Sequence, residues 1–296
     1  FKGLQEKTGV KMEVIRHGKY KAAVEPFLSD TMSSENRAQI KELITSLWNT
    51  IVSDISAARE ISEQDLNAIA DTLGGRTPSY AVASGLIDGR LHADQYEALL
   101  KEKIGLDETT DVNYVEFTDY IQVTRNKRLR KGKDKIAVVY AQGEIIYGEG
   151  SKEAIGQGKK TSALQQAADH ESVKAIVLRR EPPGAMALVS DIIWRAIELA
   201  KEIKPIVVSF GNVAASGGYY IGVAGDKIFA EPTTITGSIG VFGVIPNANE
   251  LAGDMGINAE QVGTNENSVD YSLFEPMYDT LRCVLKEGIE YSYDTF

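Results

Sequence analysis

From Lys135 to Gly243 the chain alternates short apolar runs with segments of helical periodicity, and that alternation restricts the fold more than any other feature. Ile136–Tyr140, Ala175–Leu178, Pro205–Phe210 and Lys227–Ala230 have the length of buried strands. Between them, Ser162–Ala168, Leu188–Ile203 and Ser216–Ala224 read as helices. In Leu188–Ile203 the apolar positions Val189, Ile192, Ile193, Ala196, Ile197 and Ala200 recur at helical spacing. Such a rhythm predicts an α/β fold with largely parallel strands. Gly143–Lys160, rich in glycine and charge, is expected to be a mobile loop, and Pro232–Gly243 to be rich in turns.

The first part of the chain reads differently. Met12–Arg16 is a short strand candidate, and Gly18–Phe27 is irregular, with Pro26 blocking helix propagation. Beyond it, Ile40, Leu43, Ile44, Leu47, Trp48, Ile51, Val52 and Ile55 predict one long amphipathic helix. Ser62–Asp65 resembles the capping box of a following helix, which Gly74-Gly75 ends. Tyr80–Gly89 reads as a short helix turning into a strand end, and Ala93–Ile104 as a further helix. Arg125–Lys135, basic at seven positions against one Asp, reads as a solvated linker. The expected division is therefore a helical part over residues 1–130 and an α/β part over 131–296. Glu25-Pro-Phe27 before one helix is echoed by Glu275-Pro-Met277 before another, a faint internal repeat.

Composition narrows the function. A single cysteine, Cys283, excludes an internal disulfide framework and a multi-cysteine metal site, and three histidines leave little for a histidine-based metal centre. A net charge of −10 argues against nucleic acid and anionic lipid surfaces as general partners. No apolar run reaches the ~18–20 residues that cross a bilayer. The chain opens at Phe1, in what reads as the interior of a helix, and is expected to be a fragment whose anchor or export signal lies upstream.

Chemistry concentrates in Ile206–Tyr220. A buried strand runs into Gly211, then Ala214-Ala215-Ser216-Gly217-Gly218, then a helix. A serine there is exposed at a helix N-terminus, where following amides such as that of Gly217 can hold an oxyanion. The same serine also suits a plain N-cap. Its base is not an obvious histidine: His17 and His92 lie in the helical part, and His170 lies in a turn. A lysine can serve if burial lowers its pKa. Lys21, in the apolar Tyr20–Val24, is the candidate, and Lys19, beside Gly18, is its more exposed control. Thr236 or Ser238, in the hydroxyl-rich Pro232–Gly243, suits holding that amine.

Ala214–Tyr220 followed by Thr236–Gly240 resembles the signal peptide peptidase A (protease IV) family, and Arg16–Phe27 resembles the lysine-bearing segment of its long, two-domain form. The resemblance implies a serine protease with a Ser/Lys dyad, needing no metal and no cofactor, on a crotonase/ClpP-like fold, its helical amino-terminal portion coming from a related half-domain. It carries the nucleophile onto Ser216, the general base onto Lys21 and the positioning hydroxyl onto Ser238. It implies oxyanion amides from Gly217 with Gly184 or Ala185. It further implies hydrophobic peptide substrates such as cleaved signal peptides, and a homo-oligomer, a tetramer in the long form. The implied location is the bacterial inner membrane, facing the periplasm through an anchor outside this chain. The family's Asn-Ser-Pro-Gly-Gly is replaced by Arg180–Ala185, where Ala185 stands for the second glycine and Pro182 removes an amide. Lys21 and Ser216 fall in different expected domains, so the site is expected at a domain or subunit interface. A crotonase-type acyl-CoA enzyme and an inactive scaffold of the same fold are the alternatives.

Overall fold

The computed structural model describes residues 1–296 apart from 129–131, 152, 182, 183, 185 and 266. It falls into two compact units: Phe1–Ser46 with Asp134–Phe296, and Leu47–Lys133. This division differs from the one at residue 130, because the first 46 residues group with the α/β part.

The chain begins with α1 (Lys2–Thr8), β1 (Lys11–Arg16), a 3₁₀ turn (Ala22–Val24) and α2 (Glu25–Leu28). Pro26 sits in the first turn of α2, where its missing N–H costs nothing, so it starts a helix rather than blocking one. The long helix expected from periodicity is α3 (Ser34–Arg59).

The second unit contains α4 (Glu63–Asp71), α5 (Pro78–Ala83), α6 (Ala93–Ile104) and α7 (Phe117–Arg128). Ser62 caps α4 by accepting the Asp65 amide, and Thr77 caps α5 by accepting that of Tyr80. The strand end expected near Gly89 does not form; Gly85 turns the chain at φ 73° instead. The start of the basic run continues α7 to Arg128, where a linker was expected; residues 129–131 lie outside the described ones.

The α/β part holds β2 (Lys135–Gln142), β3 (Glu144–Ile146), β4 (Ala154–Gly156), α8 (Gln157–Asp169), β5 (Val173–Glu181), α9 (Ala187–Lys201), β6 (Ile206–Phe210), β7 (Val213–Ala215), α10 (Gly217–Gly222), β8 (Lys227–Phe229), β9 (Ile235–Gly237) and β10 (Phe242–Asn247). Then come α11 (Asn249–Asp254) and α12 (Asp279–Thr295). Gly143–Lys160 is thus not a free loop. Parallel β3 and β4 fold it, and Ile145 and Ile155 are fully buried there.

Strands β2, β5, β6 and β8 form a parallel sheet in the order β2-β5-β6-β8, which bears out the α/β reading. Helices α8 and α9 pack on it through Leu164, Val189, Ile193 and Ile197, against Ile176, Leu178, Ile206 and Val208. Each such side chain contributes about 1.5–3 kcal/mol on burial. Two smaller sheets matter more for function. Parallel β7 and β9 pair Ala215 with Gly237, and antiparallel β1 and β10 pair Arg16 with Phe242.

The internal repeat has a structural echo. Helix α1 ends at Gly9 (φ 65°), and α11 is followed by Gly256 (φ 73°); a Glu-Pro turn and a long helix come after each. A strand follows Gly9, whereas residues 257–263 carry no regular structure. Among the described residues no helix is long and apolar enough to cross a membrane.

Gly9 is both left-handed and crowded: a Cβ there would stand 2.7 Å from the Leu251 amide nitrogen, whose N–H bonds the Gly9 carbonyl. Gly9→Ala is expected to cost about 1–3 kcal/mol in urea unfolding, whereas Gly3→Ala, at an open helical position, is expected to be neutral or stabilising.

Candidate active site

Two strand pairings assemble the site. The register of β7 on β9 places the residues that follow them, Ser216 and Ser238, side by side, and the Ser216 amide donates to the Gly237 carbonyl (2.8 Å). Thr236 braces the pair by donating its hydroxyl to the Ala214 carbonyl (3.0 Å). Of the two hydroxyls considered for the lysine, Thr236 is therefore used in the sheet and Ser238 is left for the amine. Strand β1, paired with β10, delivers the segment after Arg16 to the residues before Phe242. The His17 amide donates to the Val241 carbonyl (3.3 Å).

The outcome is that Lys21 Nζ lies 3.3 Å from Ser216 Oγ, 2.9 Å from Ser238 Oγ and 2.8 Å from the Ser238 carbonyl oxygen. Both partners come from one chain and one compact unit, not from two domains or two subunits. The amine donates to the Ser238 carbonyl and, when neutral, has a lone pair for the Ser216 proton. Gly240 (φ 151°) borders the Lys21 side chain: a Cβ there would touch it at ordinary contact distance, 3.4 Å from Cδ.

Burial lowers the Lys21 pKa, with no opposing carboxylate among the causes. Lys19 behaves in the opposite way: its bond to Glu35 (2.7 Å) raises its pKa.

Ser216 and Ser238 are two of the four non-glycine residues described at positive φ, at 51° and 53°. Strain of about 1–3 kcal/mol at such positions persists only where surrounding structure holds it. Ser216 (ψ −128°) is in the N-cap position of α10, yet its side chain makes no capping bond, so its hydroxyl is spare. Gly217 opens α10, and the first amides of a helix have no intrahelical acceptor. Gly184 (φ 108°) is packed so closely that a Cβ on it would lie 2.8 Å from Ser216 Cβ and 3.1 Å from the Ala215 carbonyl. Ala185 and Pro182 lie outside the described residues.

These groups open into a cleft of about 510 Å³ whose remaining walls include Met186, Ala187, Val241, Phe242 and Phe296. Tyr220, one helical turn beyond Ser216, also lines it; its hydroxyl donates to Asp191 Oδ1 (2.6 Å) and its ring meets that of Phe296 at 4.9 Å between centroids. Burial first, and then the Asp191 bond, push the Tyr220 pKa up, so the phenol stays neutral. Sequence reasoning missed Tyr220, Asp191, Phe242 and Phe296. Gly240 closed the motif already singled out, and Tyr220's spacing of four from Ser216 was a usable signal. Among the described residues no group of three or more His, Cys, Asp or Glu comes together.

The sequence profile of Peptidase family S49 matches residues 1–107 and 198–296. Protease 4 of Haemophilus influenzae is 35% identical over 305 residues, covering 100% of this chain and 49% of that protein. Protease 4 of Salmonella typhi is also 35% identical, over 304 residues, with 100% and 48% covered. The chloroplastic serine protease SPPA of Arabidopsis thaliana is 30% identical over 265 residues, with 88% and 39% covered. The chain spans about half the length of the two Protease 4 relatives.

The opposed environments of the two lysines are directly measurable. On reductive dimethylation with ¹³C, Lys21 is expected to titrate below the ordinary lysine range and Lys19 above it. A Lys21 signal titrating with the exposed lysines would contradict the half-buried geometry.

Proposed function

The chain belongs to peptidase family S49, and we propose that it supplies a serine endopeptidase centre with Ser216 as nucleophile and Lys21 as general base. The ClpP/crotonase-like fold of that family is the one expected from the sequence. The observation that carries the reading is the 3.3 Å approach of a half-buried amine to the uncapped hydroxyl of a serine whose backbone is strained.

Neutral Lys21 takes the Ser216 proton as Oγ bonds to the scissile carbonyl carbon. The oxyanion is held by the Gly217 amide together with that of Gly184 or Ala185. Collapse breaks the C–N bond, and the Lys21 ammonium protonates the departing amine. Water, deprotonated by Lys21, then attacks the acyl ester, and Ser216 recovers its proton. Ser238 fixes the amine throughout, accepting its N–H bonds at Oγ and at the carbonyl. An acyl-CoA transfer reading gives this serine–lysine contact no role.

The apolar cleft wall suits uncharged side chains next to the scissile bond, so hydrophobic peptides such as cleaved signal peptides are the proposed substrates. The working protein is proposed to be a homo-oligomer, a tetramer, at the bacterial inner membrane with this part facing the periplasm, held by a segment outside this chain.

Turnover of a fluorogenic peptide rich in Leu and Ala tests the reading. Ser216→Ala and Lys21→Ala are each expected to lower kcat/KM by about 10³-fold or more, and Ser238→Ala by about tenfold. Gly184→Ala is expected to slow labelling of Ser216 by a fluorophosphonate at least about tenfold. Unchanged turnover in Ser216→Ala or Lys21→Ala overturns the assignment.

A further inference from the structure

Glu25 is the one charged residue among the described residues that is essentially buried, 7% exposed, and the reaction above does not use it. A carboxylate is costly to bury unless its oxygens are bonded. Here they are: Ser33 donates its hydroxyl to Oε1, and the Asn36 side chain (2.8 Å) and the Ser33 amide (3.5 Å) donate to Oε2. Ser33 Oγ accepts the Asn36 amide in turn (3.1 Å). The carboxylate is thereby fastened to the first turn of α3, where the helix dipole favours negative charge.

The other end of the connection is Lys21. It immediately precedes the 3₁₀ turn Ala22–Val24, and the Glu25 amide closes that turn on the Ala22 carbonyl. Val24, between them, is fully buried. Moving Glu25 therefore moves the backbone that carries the amine.

The molecule contains its own comparison. The second Glu-Pro turn places Tyr271, not a lysine, four residues ahead of Glu275. There Glu275 is only partly buried, and its backbone carbonyl accepts a bond from Asn247 (2.6 Å). Deep burial of the glutamate goes with the lysine.

We propose that Glu25 is a positioning residue for Lys21: its carboxylate, locked onto α3 by Ser33 and Asn36, holds the turn that keeps the amine under cover beside Ser216. The inference rests on reading Lys21 as the base. The charged or polar groups facing Glu25 are Ser33, just before α3, Asn36 from α3 and Arg16 from β1. Those facing Lys21 are Ser216 and Ser238. Removal of the carboxylate frees the turn, and an amine that swings into water regains the ordinary lysine pKa. Each unit of rise costs tenfold in neutral amine at pH 7.

The test is the pH profile of Ser216 labelling by a fluorophosphonate, with kcat and KM for peptide turnover and Tm, in Glu25→Ala, Glu25→Gln and Ile197→Val. Glu25→Ala is expected to slow labelling at pH 7 at least about tenfold, to move the acidic limb upward, and to lower kcat with KM within about twofold. Glu25→Gln, which keeps one acceptor, is expected to fall between Glu25→Ala and the parent, and it decides the matter if Glu25→Ala does not fold. Ile197→Val, a core truncation in α9, is expected to lower Tm without moving the limb. A limb unmoved in both Glu25 variants, with normal labelling rates, overturns the positioning role and leaves the dyad intact. Absence of labelling in the parent overturns the dyad itself.

Discussion

The antiparallel pairing of β1 with β10 is the interaction on which the site depends. It joins the beginning of the chain to a strand more than two hundred residues later, with Lys11 opposite Asn247 and Arg16 opposite Phe242. Helix α12 backs the pair: Arg282 bonds Glu13, and Tyr293 stacks on His17 at 3.9 Å between ring centroids. Without that sheet, Lys21 has no reason to be near Ser216. The parallel pairing of β7 with β9 does the complementary job on the serine side. Two short ladders, each of modest strength, thus fix three side chains to within hydrogen-bonding distance.

Chemistry follows from what surrounds the amine. Lysine in water is protonated and cannot accept a proton. Here the surroundings supply hydroxyls and a carbonyl, and among the described residues no carboxylate opposes the partial burial that pushes the amine toward its neutral form. Lys19, two residues earlier, shows the contrast within one turn of chain, because Glu35 holds it charged. Ser216 contributes a strained backbone and a hydroxyl free of capping duty. Gly184, pressed against Ser216 Cβ, lets a second loop approach the same point.

Much of this was legible in the sequence, for reasons that can be named. Parallel strands that bury one face fully and much of the other in part read as apolar runs, so β5 and β6 were visible, and the period of α9 was unambiguous. Ser216 announced itself through the tiny residues that its tight turn requires. Lys21 was found by its apolar neighbours and by resemblance to a known motif. The domain division at residue 130 did not anticipate the compact units, because periodicity reports local structure while the β1–β10 pairing is a long-range contact. Gly143–Lys160 differs from the expected loop because glycine and charge suggest a loop, whereas the positive-φ glycines 143 and 150, where a Cβ would stand 1.8 Å from the Glu153 carbonyl and 2.3 Å from the Gly156 amide nitrogen, let β3 and β4 pair tightly. Tyr220 and Asp191 were missed because their bond joins α10 to α9, a contact no local pattern encodes.

The central claim is that the proton of Ser216 goes to a neutral Lys21. It is tested most directly by measuring the second-order rate of Ser216 with diisopropyl fluorophosphate across pH, and titrating the Lys21 amine independently by NMR on the same protein. The account predicts that the rate rises with pH and that its inflection coincides with the Lys21 titration, below the ordinary lysine range. A rate that is flat through that titration, or that rises with a different group, would contradict it.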